Sequence, residues 1–348
     1  MTTAAEDVPL LAARDLRVDF RVGGERLRAV DGITLDVARR ETLGLVGESG
    51  SGKSTFGRAV MGLVPLSGGL LTYDGVDPSD LGRRERRQLQ ARYQMVFQDS
   101  SATLNPRRTV LDSVIEPLVV HGRLSSRQRQ ARAVELLERV GLSEAHGRRY
   151  PHQLSGGQRQ RVSIARALVL DPELLVCDES VASLDVALQA QVLNLLSALQ
   201  RELGLSFVFI THDLGVAGHM SDRLAVMYLG SLVEIGPAGA VTCDPRHPYT
   251  AALLSAQPEP VVGGRSRERI VLTGELPSPT DPPSGCRFRT RCPMAQDRCA
   301  EQAPEWREVA PGHRVACHFD FDGRWDLATI GTRASVGSVP PGPPVAAS

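Results

Sequence analysis

Lysine is nearly absent from this chain of 348 residues. Lysine and arginine together number 40, and reading the sequence from end to end finds a single lysine, Lys53, so every other cation of that group is arginine. An ammonium on a flexible stem can bend back between two phosphate groups, whereas a planar guanidinium cannot. The one position that keeps lysine is therefore a candidate phosphate-binding site.

Other absences exclude whole classes of protein. The formal net charge is +0 and aromatic residues make up only 4% of the chain, so the sequence lacks the basic surface and stacking platform typical of nucleic-acid binding. Arginine clusters such as 83–87 are interpreted as solvated helix faces, with contact to phosphate or lipid headgroups as the alternative. No apolar run reaches the ~18 residues of a membrane-spanning helix and no signal peptide is recognised, which predicts a cytoplasmic protein.

The composition that is present is typical of a folded α/β protein, with 42% hydrophobic and 23% charged residues. Short apolar strands alternate with amphipathic helices from about Pro9 to Ala256, the pattern of a sheet covered by helices. We predict a domain at 9–256, a Pro-, Gly- and Cys-rich extension at 257–322, and a disordered tail at 323–348 that ends in a proline-rich run.

The single lysine lies in a glycine-rich motif. The motif is Gly47-Glu48-Ser49-Gly50-Ser51-Gly52-Lys53-Ser54-Thr55. An apolar strand pattern precedes it and a helical pattern follows, which favours a P-loop over a turn that merely caps a helix. Backbone N–H groups of such a loop surround phosphate oxygens, and Ser54 would ligate Mg²⁺.

A second motif is an apolar strand that ends in two carboxylates, Asp178 and Glu179, the Walker B arrangement. Side chains alternate along a strand, so the two acids can serve different tasks: Asp178 would hold magnesium and Glu179 would act as general base. The alternative is two acids at an exposed strand end. The preceding run, 174–177, is too apolar for that reading.

Between these motifs lies Leu154-Ser155-Gly156-Gly157-Gln158, with Ser155 at the N-cap of a helical run. Taken together, the three motifs resemble the ATP-binding cassette (ABC) family. The resemblance implies an α/β P-loop NTPase cassette with a RecA-like core, an antiparallel β subdomain and a helical signature subdomain, followed here by a small irregular Cys-rich extension. It also implies ATP hydrolysis with Mg²⁺ in a head-to-tail dimer, where each ATP lies between one subunit's P-loop and the other's 155–158 signature.

Other residues match family elements by their order in the chain. Gln98 resembles the Q-loop glutamine that contacts magnesium and water, and His212 resembles the switch histidine that contacts the γ-phosphate. Asp185 resembles the D-loop aspartate that crosses the dimer interface. Phe20 is a candidate to stack on adenine, with a core position as the alternative.

Three further stretches resemble the ATPases of oligopeptide/dipeptide importers: 99–106, 185–196, and 246–254 with its His-Pro-Tyr segment. The resemblance implies a peripheral protein on the cytoplasmic side of the cell membrane. Its expected partners are a second cassette, expected to be a paralogue, two transmembrane permeases and an extracytoplasmic solute-binding protein. Import of nickel or another small solute, and a soluble ABC-type regulator, remain alternatives. The absence of a long heptad run between Ser100 and Gly141 argues against a DNA-repair or chromosome-structure ATPase.

Four cysteines are grouped in the extension: Cys286, Cys292, Cys299 and Cys317. Their spacing alone allows tetrahedral zinc, a cubane cluster or free thiols. Zinc sites favour Cys-x-x-Cys pairs, which are absent here, and some importer ATPases that this chain resembles carry a [4Fe–4S] cluster on such cysteines. We expect a structural cluster. Because the P-loop lies in the other domain, losing a cysteine should leave nucleotide binding largely intact.

Overall fold

The computed structural model describes residues 8–122, 124–181, 184–257, 270, 272 and 274–321. The predicted disordered tail, 323–348, and part of the predicted extension lie outside these ranges. Within them, no helix combines the length and the apolar character that crossing a lipid bilayer requires.

The strands of the described residues belong to two sheets. In chain order they are β1 (Leu11–Val22), β2 (Glu25–Val37), β3 (Thr42–Val46), β4 (Gly68–Tyr73), β5 (Tyr93–Val96), β6 (Leu174–Asp178), β7 (Ser206–Thr211), β8 (Arg223–Tyr228), β9 (Ser231–Pro237), β10 (Arg307–Ala310) and β11 (His313–Val315). The smaller sheet is antiparallel, in the order β2-β1-β4. Gly23 and Gly24 connect β1 to β2 with φ of +60° and +88°, which a two-residue hairpin turn requires and glycine adopts without steric cost.

The larger sheet has the order β10-β11-β9-β8-β3-β7-β6-β5. Neighbours from β8 to β5 run parallel, and β9 is antiparallel to β8. Strands β3, β6 and β7 are buried along their whole length, as expected for parallel strands covered on both faces. Because the carboxyl ends of parallel strands lie at one edge of a sheet, the loops that follow β3, β6 and β7 meet there.

The helices of the described residues pack on both sheets and on one another. In chain order they are α1 (Lys53–Val60), α2 (Arg83–Arg92), α3 (Ser100–Thr103), α4 (Val110–Val120), α5 (Ser126–Arg139), α6 (Glu144–Gly147), α7 (Gly156–Leu168), α8 (Val186–Leu203), α9 (Leu214–Met220), α10 (Ala238–Cys243), α11 (Pro248–Ser255) and α12 (Asp297–Glu301). Side-chain caps explain several starts: Ser125, Ser155 and Asp185 each accept a hydrogen bond from a backbone N–H three residues on.

Helices α4, α5 and α7 follow β5 and precede β6 in the sequence. They pack on one another around buried side chains such as Val114, Leu137 and Ile164. In the described part of 100–141 the longest helix is α5, with 14 residues. The prediction of ordinary helices without an inserted coiled coil is therefore confirmed for those residues.

The C-terminal extension is packed into the cassette. Strands β10 and β11 form a hairpin, and β11 pairs with β9 through the register Arg314↔Ile235, so the hairpin lengthens the larger sheet. Phe288 is buried against Tyr228 and Tyr249, with ring centroids 5.3 and 5.4 Å away. The prediction of an irregular extension therefore missed this hairpin and its pairing with the larger sheet. The hairpin covers β9, whose unpaired backbone groups would otherwise form a sheet edge.

Candidate active site

The loop between β3 and α1 has the backbone of an anion cradle. Gly52 has φ of +102°, and a Cβ at that position would lie 2.2 Å from the carbonyl oxygen of Ala29. A Cβ on Gly47 would lie 2.1 Å from the carbonyl oxygen of Met227. Gly52 is also the N-cap of α1, so the positive end of this helix faces the loop. Space therefore requires glycine at positions 47 and 52, and at position 52 the backbone conformation requires it as well.

Lys53 is held inside this loop. Its side chain is buried, and Nζ donates hydrogen bonds to the carbonyl oxygens of Gly47 at 2.8 Å and Glu48 at 2.9 Å. Burial lowers the pKa of the Lys53 ammonium, while the carboxylates of Glu179 and Asp178 act in the opposite direction. The only lysine of the chain therefore lies inside the predicted phosphate cradle, where the acids of the predicted Walker B motif act on its charge.

Ser54 and Asp178 meet although they are 124 positions apart in the chain. Asp178 ends β6 and is buried, and its Oδ1 accepts a hydrogen bond from Ser54 Oγ at 2.8 Å. Burial raises the pKa of Asp178, and the Ser54 hydroxyl opposes that shift. A hydroxyl and a carboxylate placed side by side are the oxygen ligands that Mg²⁺ prefers.

Glu179 lies at the centre of a second group. Its Oε2 accepts a hydrogen bond from Gln98 Nε2 at 2.8 Å, and its Oε1 lies 3.5 Å from His212 Nδ1. Glu179 has φ of +43°, a left-handed conformation that costs a non-glycine residue about 1–2 kcal/mol. Strain of this kind collects at functional sites, where it aims a side chain. The three residues predicted to be catalytic are therefore in contact.

This arrangement can perform phosphoryl chemistry. A carboxylate beside bound phosphate can accept a proton from an attacking water, and a neighbouring amide and imidazole can orient that water and the γ-phosphate. The residues come from the ends of β3, β5, β6 and β7, which bring them to one edge of the sheet.

The signature segment 155–158 makes its contacts elsewhere. Ser155 N–H donates to Gln158 Oε1 at 3.1 Å, and Gln158 N–H donates to Ser155 Oγ at 3.3 Å, a reciprocal capping box. A Cβ on Gly157 would lie 3.2 Å from the Leu188 side chain. Asp185 caps α8. None of the hydrogen bonds among described residues joins this segment or Asp185 to the P-loop of the same chain.

Phe20 lies on β1 with 36% of its surface exposed. The alternative of a core phenylalanine is therefore not supported. Stacking on adenine stays a prediction.

Sequence reasoning missed two residues that hold the P-loop from the side of the extension. Arg291 donates to both carboxylate oxygens of Glu48, at 2.6 and 3.1 Å, and the Tyr249 hydroxyl accepts a hydrogen bond from the Glu48 N–H at 2.8 Å. Arg291 of the extension therefore contacts the P-loop directly, and the predicted domain limits 9–256 and 257–322 stay a prediction. The only sequence signal was the His-Pro-Tyr segment, which indicates the family and not this contact.

The four cysteines of the extension line one small cavity: Cys286, Cys292, Cys299 and Cys317. Burial raises the pKa of the Cys286 thiol to about 11 and that of Cys292 to about 12. Across the described residues, however, no three His, Cys, Asp or Glu side chains are grouped so that they could hold a metal ion. The fold collects the predicted thiols in one place, and their metal ligation stays a prediction.

Comparison with known proteins gives the family. A family model described as ABC transporter matches residues 30–182, and one described as oligopeptide/dipeptide transporter, C-terminal region, matches 233–299. The oligopeptide transport ATP-binding protein AppF of Bacillus subtilis is 48% identical over 327 residues, which cover 91% of this chain and 99% of AppF. The oligopeptide transport ATP-binding protein OppF of Salmonella typhimurium is 48% identical over 319 residues, 88% of this chain and 95% of OppF.

Solved structures show the same cassette. The ATP-binding cassette MJ0796, in a dimeric post-hydrolysis state bound to ADP and Pi, superposes with a TM-score of 0.59 at 30% identity, covering 66% of this chain and 98% of that one. The expected ABC ATPase fold, with a mixed sheet and helices, is therefore confirmed, as is the family resemblance seen in the motifs. The chain belongs to the ABC transporter family, among its oligopeptide/dipeptide transporter ATP-binding proteins.

Proposed function

We propose that this chain is the ATP-hydrolysing subunit of an ABC importer that energises the uptake of di- or oligopeptides. The observation that carries the proposal is the convergence of two groups at one sheet edge: Ser54 with Asp178, and Gln98 with Glu179 and His212. The names of the relatives AppF and OppF, both oligopeptide transport ATP-binding proteins, supply the solute class.

Each residue then has a role in hydrolysis. The P-loop backbone and Lys53 bind the phosphates, and Ser54, Asp178 and Gln98 hold Mg²⁺. Glu179 accepts a proton from the attacking water, and His212 contacts the γ-phosphate. When bound, magnesium offsets the negative charge that collects around the transferred phosphoryl group.

The second half of each nucleotide site comes from another cassette. Among the described residues, no hydrogen bond joins 155–158 or Asp185 to the P-loop of the same chain, and the solved relative MJ0796 is dimeric. We infer a head-to-tail dimer with a second cassette, a paralogue, bound to two transmembrane permeases and served by an extracytoplasmic solute-binding protein. The complex would lie at the cytoplasmic face of the cell membrane. The formal net charge of +0 offers no support for a nucleic-acid partner.

A [4Fe–4S] cluster on Cys286, Cys292, Cys299 and Cys317 is part of this proposal. The cysteines share a cavity in which Cys299 is buried and the other three are half-buried, and a metal would offset the energetic cost of ionising their thiols there. Each thiolate of a cubane cluster binds a different iron, so the thiolates stand further apart than four around one zinc ion. The absence of a described group suited to one metal ion is compatible with that wider spacing.

The cluster is tested on protein purified without oxygen. We expect about four iron and four acid-labile sulfide ions per chain, and a brown colour that Cys292→Ser removes. Cys243→Ser, at an exposed cysteine outside the group, is the matched control and keeps the colour. A single zinc ion would establish the zinc alternative, and no metal at all would leave four thiols.

The transport function is tested by purifying the tagged full chain from membranes. We expect two polytopic subunits and a second cassette in the complex, and Mg-ATP-dependent uptake of peptides by proteoliposomes that contain it. Uptake of nickel in place of peptides would establish the alternative solute. Recovery of the chain without any membrane protein would favour a soluble regulator.

The domain limits 9–256 and 257–322 stay a proposal, because β11 and Phe288 join the two parts.

A further inference from the structure

We propose that Arg291 positions the P-loop for ATP by holding Glu48 and cancelling its charge. The proposal rests on the nucleotide site described above and adds a residue of the extension to it. Arg291 Nη1 and Nη2 bond the two carboxylate oxygens of Glu48 at 2.6 and 3.1 Å, across 243 positions of sequence. The Arg291 side chain is only 9% exposed, so this bidentate pair is shielded from water on one side.

Charge explains why such a pair would matter. Glu48 is the second residue of the P-loop, and its carboxylate is close enough to influence the Lys53 ammonium. An unpaired carboxylate there would repel the triphosphate that the loop binds. Because Arg291 neutralises Glu48, the cradle keeps the positive potential of Lys53 and of the α1 N-terminus.

Backbone contacts fix the same turn. Besides the carboxylate, the N–H of Glu48 is held by the Tyr249 hydroxyl at 2.8 Å. This Tyr249 ring packs on Phe288 of the extension. The extension and the His-Pro-Tyr helix α11 therefore grip one P-loop residue through both its side chain and its backbone.

A second arginine of the extension supports the other side of the loop. Arg287 donates to the carbonyl oxygen of Leu229 and to Asp31. The next residue, Gly230, donates its N–H to the carbonyl oxygen of Ser51 in the P-loop at 2.9 Å. Arg291 thus bonds the P-loop directly, whereas Arg287 bonds Leu229 and Asp31, which lie next to the loop.

The experiment measures the Kd of Mg-ATP for the full chain, and kcat and KM for the assembled transporter. We expect Arg291→Gln to raise Kd and KM about tenfold, equal to about 1.4 kcal/mol, with kcat little changed. The matched control is Arg298→Gln, an exposed arginine that also adjoins a cysteine of the extension and should leave Kd unchanged within about twofold.

A double variant separates this role from a purely structural one. Replacing Glu48 as well, in Glu48→Gln/Arg291→Gln, removes the unpaired charge and should return Kd to within about threefold of wild type. A double variant as weak as Arg291→Gln, or equal effects of Arg291→Gln and Arg298→Gln, would overturn the proposal.

Folding and the nucleotide site are checked separately. If Arg291→Gln does not fold, Arg291→Lys is measured instead: it keeps the charge that neutralises Glu48 but loses the bidentate geometry, so Kd should rise by less than about tenfold. A loss of about tenfold or more in that folded variant would overturn the proposal. If the wild-type chain binds no Mg-ATP, the nucleotide site itself is refuted. If the wild-type chain binds Mg-ATP, the Kd of each Arg291 variant is compared with the wild-type Kd and tests the role of Arg291 alone.

Discussion

Replacing Glu179 by glutamine tests the chemistry of the site most directly. Glutamine keeps the size of the side chain, and its carbonyl oxygen can still accept the 2.8 Å hydrogen bond from Gln98. The substitution removes the basicity that, in the proposed function, takes a proton from water. General-base catalysis contributes roughly two to four decades of rate, so the activation free energy should rise by about 3–5 kcal/mol.

Binding should respond in the opposite direction. The Glu179 carboxylate is close enough to the Lys53 ammonium to raise its pKa, and in the proposed site it also faces the ATP phosphates, so its loss removes one negative charge that would repel them. We therefore expect Glu179→Gln to bind Mg-ATP at least as tightly as wild type. The nucleotide would then be retained in a closed dimer.

The assay combines steady-state ATP hydrolysis by the assembled complex with nucleotide retained after gel filtration. A useful control is Glu144→Gln, a substitution in α6 at an exposed glutamate, which should hydrolyse ATP at the wild-type rate. Hydrolysis by Glu179→Gln within a few-fold of wild type would refute the assignment of the base. Weakened ATP binding would refute the charge argument.

Three further substitutions test the P-loop, the packing of the extension and an ion pair at the opposite edge of the sheet. Gly52→Ala should abolish Mg-ATP binding, since the new Cβ would lie 2.2 Å from a backbone carbonyl, whereas Gly62→Ala, with nothing within 4 Å, should keep binding; equal Kd values would contradict this. Phe288→Ala should lower the free energy of unfolding in urea by about 3–5 kcal/mol if the extension shares the cassette core, and a change below ~1 kcal/mol would show that it does not. Arg92→Gln should cost about 1 kcal/mol near neutral pH, because hydrogen bonds from Arg92 lower the pKa of Glu173. A lowered carboxyl pKa stabilises the fold above the unfolded value, near 4.5, and this stabilisation is lost as pH falls through the folded value, so the gap between wild type and Arg92→Gln should narrow on acidification in urea titrations.

The chemistry of this chain is set by short stretches of sequence. The lone Lys53, its surrounding glycines and the apolar strand before Asp178 predict a phosphate cradle and a metal-binding acid without any knowledge of the fold. This is possible because glycine conformations, helix starts and strand alternation depend on neighbouring residues. Gln98 and His212 needed the family resemblance, since an isolated glutamine or histidine after a strand carries no specific signal.

The contact of Ser54 with Asp178 was partly predictable from the sequence and partly decided by the fold. Each residue was predicted separately as a magnesium ligand. Parallel strands place their carboxyl ends at one edge, so the α/β pattern makes the meeting expected. The 2.8 Å hydrogen bond between them is a property of the folded chain alone.

Only the tertiary structure decided how the extension is used. Its cysteines could be seen in the sequence, but their neighbour Arg291 is one arginine among many, and a bond to Glu48 that spans 243 positions leaves no periodic trace. The local sequence does not predict the hairpin of β10 and β11 either. Such short strands become stable only when a neighbouring edge, here β9, satisfies their backbone hydrogen bonds. Contacts between distant segments depend on the packing of the whole chain, and local sequence patterns therefore could not predict that the extension grips the P-loop.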